Sequence, residues 1–304
     1  MSDAIDLVVA GNLLVDDLVH HDGSTRMGEP GGGALYVSLA AALWGVKVGL
    51  VSLLGNDYPA HAIDALRQRA VDLGGVKELD GPSLRTWLLY ERAGRQIVRQ
   101  LANPSHASVS PGFDDFPRRY LDARVVHVCP TPFDVQRPLV LALAGRGARL
   151  SVDPHETVRP DNLDAWAEVF ARIETFFVSH EELLPGSAAT PEERLRALRG
   201  YRPHEAVLLK CGADGGVALD VRADRFHPWR SRAERAVDTT GAGDAFAGGV
   251  LAGRIRGEPW ESALQRGVVS ASFAIEAWGP AALIAATPAA AERRRLEWFG
   301  GVPA

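Results

Sequence analysis

Val237-Asp238-Thr239-Thr240-Gly241-Ala242-Gly243-Asp244-Ala245-Phe246-Ala247-Gly248-Gly249-Val250 runs from a turn-forming start into a helix of small residues. Gly241 and Gly243 carry no side chains, so the first-turn amides can come against an anion, where the helix dipole also favours negative charge. Such a start is a phosphate cradle. Asp244 sets a carboxylate beside it, which a purely structural helix start does not require, although an acidic residue in a first turn is also an ordinary stabilising choice. On these residues alone, an anion site and a plain glycine-rich helix start stand level.

Upstream of this run, short apolar stretches recur: Ile5 to Ala10, Lys47 to Leu53, Arg124 to Cys129, Ala148 to Val152, Thr175 to Val178 and Ala206 to Lys210. They suit strands buried on both faces. Between them lie helical patterns at Ala34 to Trp44, Pro59 to Ala70, Val135 to Leu143, Leu163 to Ile173 and Glu192 to Leu198, the last opened by a capping Thr190, Pro191 and Glu193. This alternation predicts an α/β fold, a mainly parallel sheet covered by helices on both faces. Two segments break it, Val15 to Met27 and Ser83 to Leu101, the second reading as a hairpin around Arg92-Ala93-Gly94-Arg95. Together they are expected to form a small β lid over one edge of the main sheet. His20, His21 and Asp22 are expected on its solvated face, and the chain after Thr240 is expected to be almost wholly helical.

Composition bounds the function. The 304 residues are 46 % hydrophobic, 23 % charged and 7 % aromatic, as in an ordinary globular enzyme, and are long enough for a sizeable core. Thirty-three Lys plus Arg against 38 Asp plus Glu give a net charge of −5 with no basic run, so neither nucleic acid nor a membrane surface is an expected partner. Cys129 and Cys211 lie far apart, which excludes a Cys-based zinc site and argues against a disulfide framework. The first six residues have no cationic start or apolar core, and the apolar stretch Gly31 to Leu54 is interrupted by Lys47 and glycines, so a cytoplasmic location is expected.

Asp-Thr-Thr-Gly-Ala-Gly-Asp at 238–244 resembles, at every position, the signature of the ribokinase-like (PfkB-type) carbohydrate kinases. The resemblance implies a three-layer α/β/α fold with a β lid, one kinase domain over 1–304 with lid segments at about 15–27 and 83–101, and a homodimer formed through the lid. It also implies that the amides of Gly241, Ala242 and Gly243 form the anion hole for a transferring γ-phosphoryl group and that Asp244 is the general base. A second family feature is a glycine pair opening an alanine-rich helix, and Gly31-Gly32-Gly33-Ala34-Leu35-Tyr36 is similar to it, with Gly33 and Tyr36 where ribokinase has Lys and Asn. Asp16, next to Asp17, is placed as the grip on substrate hydroxyls. Asp153-Pro154-His155 is a further substrate-contact candidate.

Ser179-His180-Glu181-Glu182 resembles the family's Asn-x-x-Glu, which makes Glu182 the residue that organises water around Mg²⁺. Lys210-Cys211-Gly212-Ala213-Asp214-Gly215-Gly216 resembles the nucleotide loop, which assigns Lys210, Gly212, Asp214, Gly215 and Thr240 to ATP; the same glycines also fit a plain hairpin turn. Asp238 and Thr240 match a monovalent-cation site of some members, with Leu283 where a polar ligand is expected.

The function expected is an ATP-dependent kinase for a hydroxyl of a sugar or polyol. Tyr36 offers a ring face rather than an amide, which favours a hexose or an inositol over ribose. The alternative is a nucleoside kinase of the same family, with Tyr36 and Trp87 stacking on a base. No Gly-x-Gly-x-x-Gly follows the first strand and no Gly-Lys pair occurs, which argues against a dinucleotide oxidoreductase and a P-loop enzyme.

Overall fold

The computed structural model describes residues 4–91, 94–99, 104–184, 189–198, 200–201 and 203–300. In chain order the elements are β1 (Leu7–Ala10), β2 (Leu14–Val19), β3 (Thr25–Gly31), α1 (Gly33–Leu43), β4 (Val48–Leu54), α2 (Ala60–Gln68), β5 (Asp72–Glu78), β6 (Arg85–Glu91) and β7 (Gly94–Arg99). There follow β8 (Val125–Val128), α3 (Phe133–Ala144), β9 (Leu150–Val152), α4 (Leu163–Phe170), β10 (Thr175–Ser179), α5 (Pro191–Ala197), β11 (Ala206–Lys210), β12 (Gly216–Asp220) and β13 (Arg225–Trp229). The C-terminal part is helical as expected: α6 (Ala242–Ile255), α7 (Trp260–Ile275), α8 (Ala281–Ala285) and α9 (Pro288–Phe299).

Among the described residues these strands form two sheets. The larger has the order β13-β12-β11-β10-β9-β8-β1-β4-β5 and is parallel from β5 to β11. β12 and β13 then extend it antiparallel. Side chains alternate between its two faces, so Val9 packs toward α1, α6 and α7 while Val8 packs toward α3, α4 and α5. Both faces are therefore covered, which is why the parallel strands read as continuous apolar runs. Thr190 caps α5 as the sequence predicts: its Oγ1 accepts from the Glu193 amide, and the Glu193 carboxylate accepts from the Thr190 amide.

The small residues of α6 follow from its place between two helices. A Cβ on Gly248 would lie 2.5 Å from the Val37 carbonyl oxygen on α1, and one on Gly249 would lie 2.6 Å from the Arg266 carbonyl oxygen on α7. Larger side chains there would push the helices apart.

The second sheet, in the order β3-β2-β6-β7, is the lid. It uses both segments predicted for it, although the turn residues 92–93 and the end of the expected segment, 100–101, lie outside the described residues. Large exposed hydrophobic side chains concentrate here: Met27, Trp87, Ile97 and Val98. Trp87 and Val98 are paired across β6 and β7, while the neighbouring Thr86 and Leu88 line the cavity below. Trp87 thus points away from that cavity and is not placed to stack on a bound base. Among the described residues no helix is long and apolar enough to cross a membrane.

Candidate active site

A cavity of about 340 Å³ lies between the lid and the carboxyl ends of the central strands, the usual position for a ligand in a parallel α/β sheet. Asn12 follows β1, Asp153 follows β9, Ser179 ends β10 and Lys210 ends β11, and all four line it together with the start of α6. From the lid, β2 contributes Asp16 and β6 contributes Thr86 and Leu88.

Asp16 is buried, and its Oδ1 accepts a hydrogen bond of 2.6 Å from Thr86 Oγ1. Gly31 does not line the cavity but makes room for this carboxylate, since a Cβ there would lie 2.0 Å from Asp16 Oδ2. Its neighbour Asp17 faces the other side of the strand. There it accepts from Arg85 Nε and Nη2 at 2.8 and 2.7 Å and from the Gly28 amide at 2.8 Å. Burial works to raise the Asp17 pKa, but the Arg85 and Gly28 donors outweigh it and hold the group below its ordinary value. The alternation of the strand therefore separates a cavity-facing aspartate from a structural one.

Gly241, Ala242, Gly243 and Asp244 all line the cavity at the first turn of α6. Gly241 caps the helix in the left-handed conformation (φ 73°), and a Cβ there would come within 2.4 Å of the Tyr36 ring. Tyr36 is only 1 % exposed. Its ring face lies beneath Gly241, and its hydroxyl is buried with no hydrogen-bond partner among the described residues. Burial first, then the charges of Asp16 and Asp238, raise its pKa well above the ordinary phenol value. Gly32 and Gly33 also line the cavity, and Gly33 allows the start of α1 to close on Asp244, whose Oδ1 would lie 2.7 Å from a Cβ at that position.

On the opposite wall Lys210 Nζ donates to Asp153 Oδ2 at 2.5 Å, with both side chains almost buried. Desolvation works against the ammonium, yet the charges of Asp153, Glu182 and Asp244 raise its pKa above the ordinary lysine value, so it is held charged. Glu182 lines the same wall, one carboxylate oxygen accepting from the Ser179 amide at 2.8 Å. This hard oxygen donor fits Mg²⁺, which binds through one or two carboxylates, phosphates and retained waters. Among the described residues no cluster of three or more His, Cys, Asp or Glu could hold a metal by itself.

A second, more apolar cavity of about 480 Å³ adjoins the first and shares Lys210, Thr239, Ala242 and Gly243 with it. Gly212 and Gly215 line it at the β11–β12 turn, opposite Phe246, Val268 and Ile275. The glycine loop is thus a hairpin turn that also borders a pocket. Asp214, expected beside the nucleotide, is exposed and lines neither cavity.

Asp238 is buried away from both cavities. Its Oδ1 accepts from the Thr240 amide and hydroxyl at 3.0 and 2.7 Å, and its Oδ2 accepts from the Gly279 amide at 2.9 Å. Leu283 is buried in the core. His20 also departs from expectation: it stacks on Trp278 at 4.1 Å and stands 3.9 Å from Asp238, while His21 and Asp22 are exposed as predicted. Tyr90 adds a 2.5 Å hydrogen bond to Thr240, so two lid side chains meet the loop that leads into α6.

Sequence reasoning did not single out Asn12, Thr86 or His106. His106 Nε2 lies 3.0 Å from Asn12 Oδ1, and its ring meets His155 edge-on at 4.8 Å. Period-two alternation in β6 signals Thr86 and Leu88, whereas nothing local signals His106, which sits in an irregular stretch.

Residues 4–286 match the model of the pfkB family carbohydrate kinases. A cytidine kinase of Thermococcus kodakarensis is 34 % identical over 281 residues, covering 90 % of this chain and 98 % of that protein. An ATP-dependent ribose-1-phosphate kinase of Halopiger xanaduensis is 30 % identical, covering 79 % of each. The fold is shared with an E. coli chain named as ribokinase II, solved in complex with ATP and Mg²⁺, at a TM-score of 0.76 and 22 % identity over 97 % of this chain and 100 % of that one. The signature at 238–244, the two-sheet architecture and these relationships agree: the chain belongs to the PfkB family of carbohydrate kinases and is a phosphotransferase.

Proposed function

We propose that the chain is an ATP-dependent kinase for the primary hydroxyl of a nucleoside, working as one unit over 1–304 with 15–27 and 83–101 as its lid. The make-up of the acceptor cavity carries this reading. Besides Asp16 and Asp244, its wall includes Leu88, Ile97, His106, Pro154 and His155. A monosaccharide held by the two aspartates has nothing to set against that apolar and aromatic surface, whereas a base on the sugar does. Tyr36 lines the acceptor cavity, but at 1 % exposure and with its ring against Gly241 it offers little face for a hexose or an inositol to stack on. Similarity to a cytidine kinase over nearly its whole length supports the same choice.

In this mechanism neighbouring sugar hydroxyls donate to Asp16, which when ionised only accepts, and Thr86 fixes the orientation of that carboxylate. The primary hydroxyl is thereby aimed at Asp244. Asp244 takes its proton late, since a loose phosphoryl transition state needs little proton abstraction. The start of α6 stabilises charge on the transferring group, and the second cavity takes the adenine. Glu182 would hold Mg²⁺, which would supply charge neutralisation along the phosphates when bound. We assign no monovalent cation to Asp238, whose oxygens already accept from Thr240 and Gly279.

The test is an ATP-consumption screen over pentoses, hexoses, inositols and nucleosides. Highest kcat/KM on a nucleoside is expected; highest kcat/KM on a free hexose or inositol overturns the assignment. Asp16→Ala is expected to raise the acceptor KM by roughly 10-fold or more while leaving the ATP KM nearly unchanged, through loss of charge-assisted hydrogen bonds. Equal effects on both KM values would move the acceptor site elsewhere.

We also propose that a second copy of the chain covers the exposed lid residues Met27, Trp87 and Val98. Light scattering should give twice the chain mass for the native protein and the single mass for Trp87→Glu; a monomeric native protein rejects the dimer.

A further inference from the structure

Lys210 ends β11 at the seam between the two cavities and lines both. Its Nζ is 2.5 Å from Asp153 Oδ2, and a Cβ on Gly243 would lie 3.2 Å from the same nitrogen. One ammonium thus reaches a buried carboxylate and the first turn of α6 at once. Among the described residues it is the sole Lys or Arg lining the acceptor cavity, where Asp16, Asp153, Glu182 and Asp244 are all acidic. The start of α1 adds no cation, because Gly31, Gly32 and Gly33 have no side chains. A triphosphate brought into so acidic a site needs a positive partner at its transferring end.

We propose that Lys210 is the cationic partner of the γ-phosphoryl group: it rests on Asp153 while the site is empty and turns to the phosphoryl oxygens beside Gly243 when the triphosphate binds. This rests on the kinase reading above. During transfer the bond from the acceptor oxygen to Pγ forms as the bond from Pγ to the β-phosphate bridging oxygen breaks. The breaking electron pair stays on ADP, the acceptor proton goes to Asp244, and Lys210 keeps all its protons.

A lysine that only neutralises Asp153 would make the same contacts, so the test removes that need. ADP and AMP-PNP affinities are measured by calorimetry with Mg²⁺, in the absence of acceptor, for the native protein, Lys210→Met and the double variant Asp153→Asn/Lys210→Met. The double variant leaves no unpaired buried charge and carries the test if the single one fails to fold. The preference for AMP-PNP over ADP is expected to fall about 10-fold or more in both variants, and turnover on the best acceptor about 100-fold. Native turnover in the double variant, or equal changes in ADP and AMP-PNP affinity, overturns the proposal. Because the affinity ratio needs no acceptor, a wrong acceptor class would show in the substrate screen and leave this measurement standing.

Discussion

Asp244→Asn is expected to lower kcat by roughly 100-fold to 10,000-fold, the range for loss of a positioned proton acceptor, with ATP and acceptor affinities close to native. The substitution keeps shape and volume and removes only the capacity to take a proton at the first turn of α6. Gly33 closes tightly on this side chain, so the amide has little room to swing away and admit a water as substitute base. The measurement is kcat and both KM values under saturating partner substrate. A variant with near-native kcat would remove Asp244 from the reaction, whatever its position.

The second large effect belongs to Gly241→Ala. At φ 73° an L-residue is strained, and the new methyl would have to occupy space 2.4 Å from the Tyr36 ring, itself locked in the core. A left-handed alanine costs about 1 kcal/mol and a forced core contact about 1–3 kcal/mol. A stability loss of about 2–4 kcal/mol is therefore expected in urea unfolding, with loss of turnover as the helix start shifts. Gly243→Ala provides the contrast: position 243 is not left-handed, and the nearest atom to the new methyl would be Lys210 Nζ at 3.2 Å. That variant should fold normally and lose activity alone. Equal stability of the two alanine variants would show that the backbone at 241 does not need its left-handed turn.

Much of this architecture is legible in the sequence because local physics writes it there. Strands buried on both faces must be continuously apolar, so β1, β4, β8 and β11 can be picked out close to their observed bounds. β5 cannot. Asp72-Leu73-Gly74-Gly75-Val76-Lys77-Glu78 shows no alternation, since Gly75 makes way for the Tyr120 ring, whose carbon would lie 3.0 Å from an added Cβ. β12 and β13 escape as well, being short antiparallel additions at the sheet's edge. In the site, the glycine-rich helix start is visible as a string, whereas the Lys210–Asp153 pair joins residues 57 positions apart and exists only once the sheet has placed two strand ends side by side. His20 shows the same limit: two adjacent histidines on a polar segment read as solvated, and only the packing of Trp278 gives one of them a ring to lie on.

The residues proposed as acceptor grip and as phosphate site do not belong to the same layer. Asp16 and Thr86 ride on β2 and β6 of the lid, while Gly243 and Asp244 belong to α6 in the body of the protein. On the proposed function a bound acceptor would therefore act as a joint, fastened to the small sheet at one end and to the helix start at the other. The Tyr90–Thr240 hydrogen bond and the stacking of His20 on Trp278 already tie the two layers together, and on the proposed function an acceptor would add the contact that defines the hydroxyl position. On that reading, recognising the acceptor and aligning the small sheet with the helix start would be a single mechanical event.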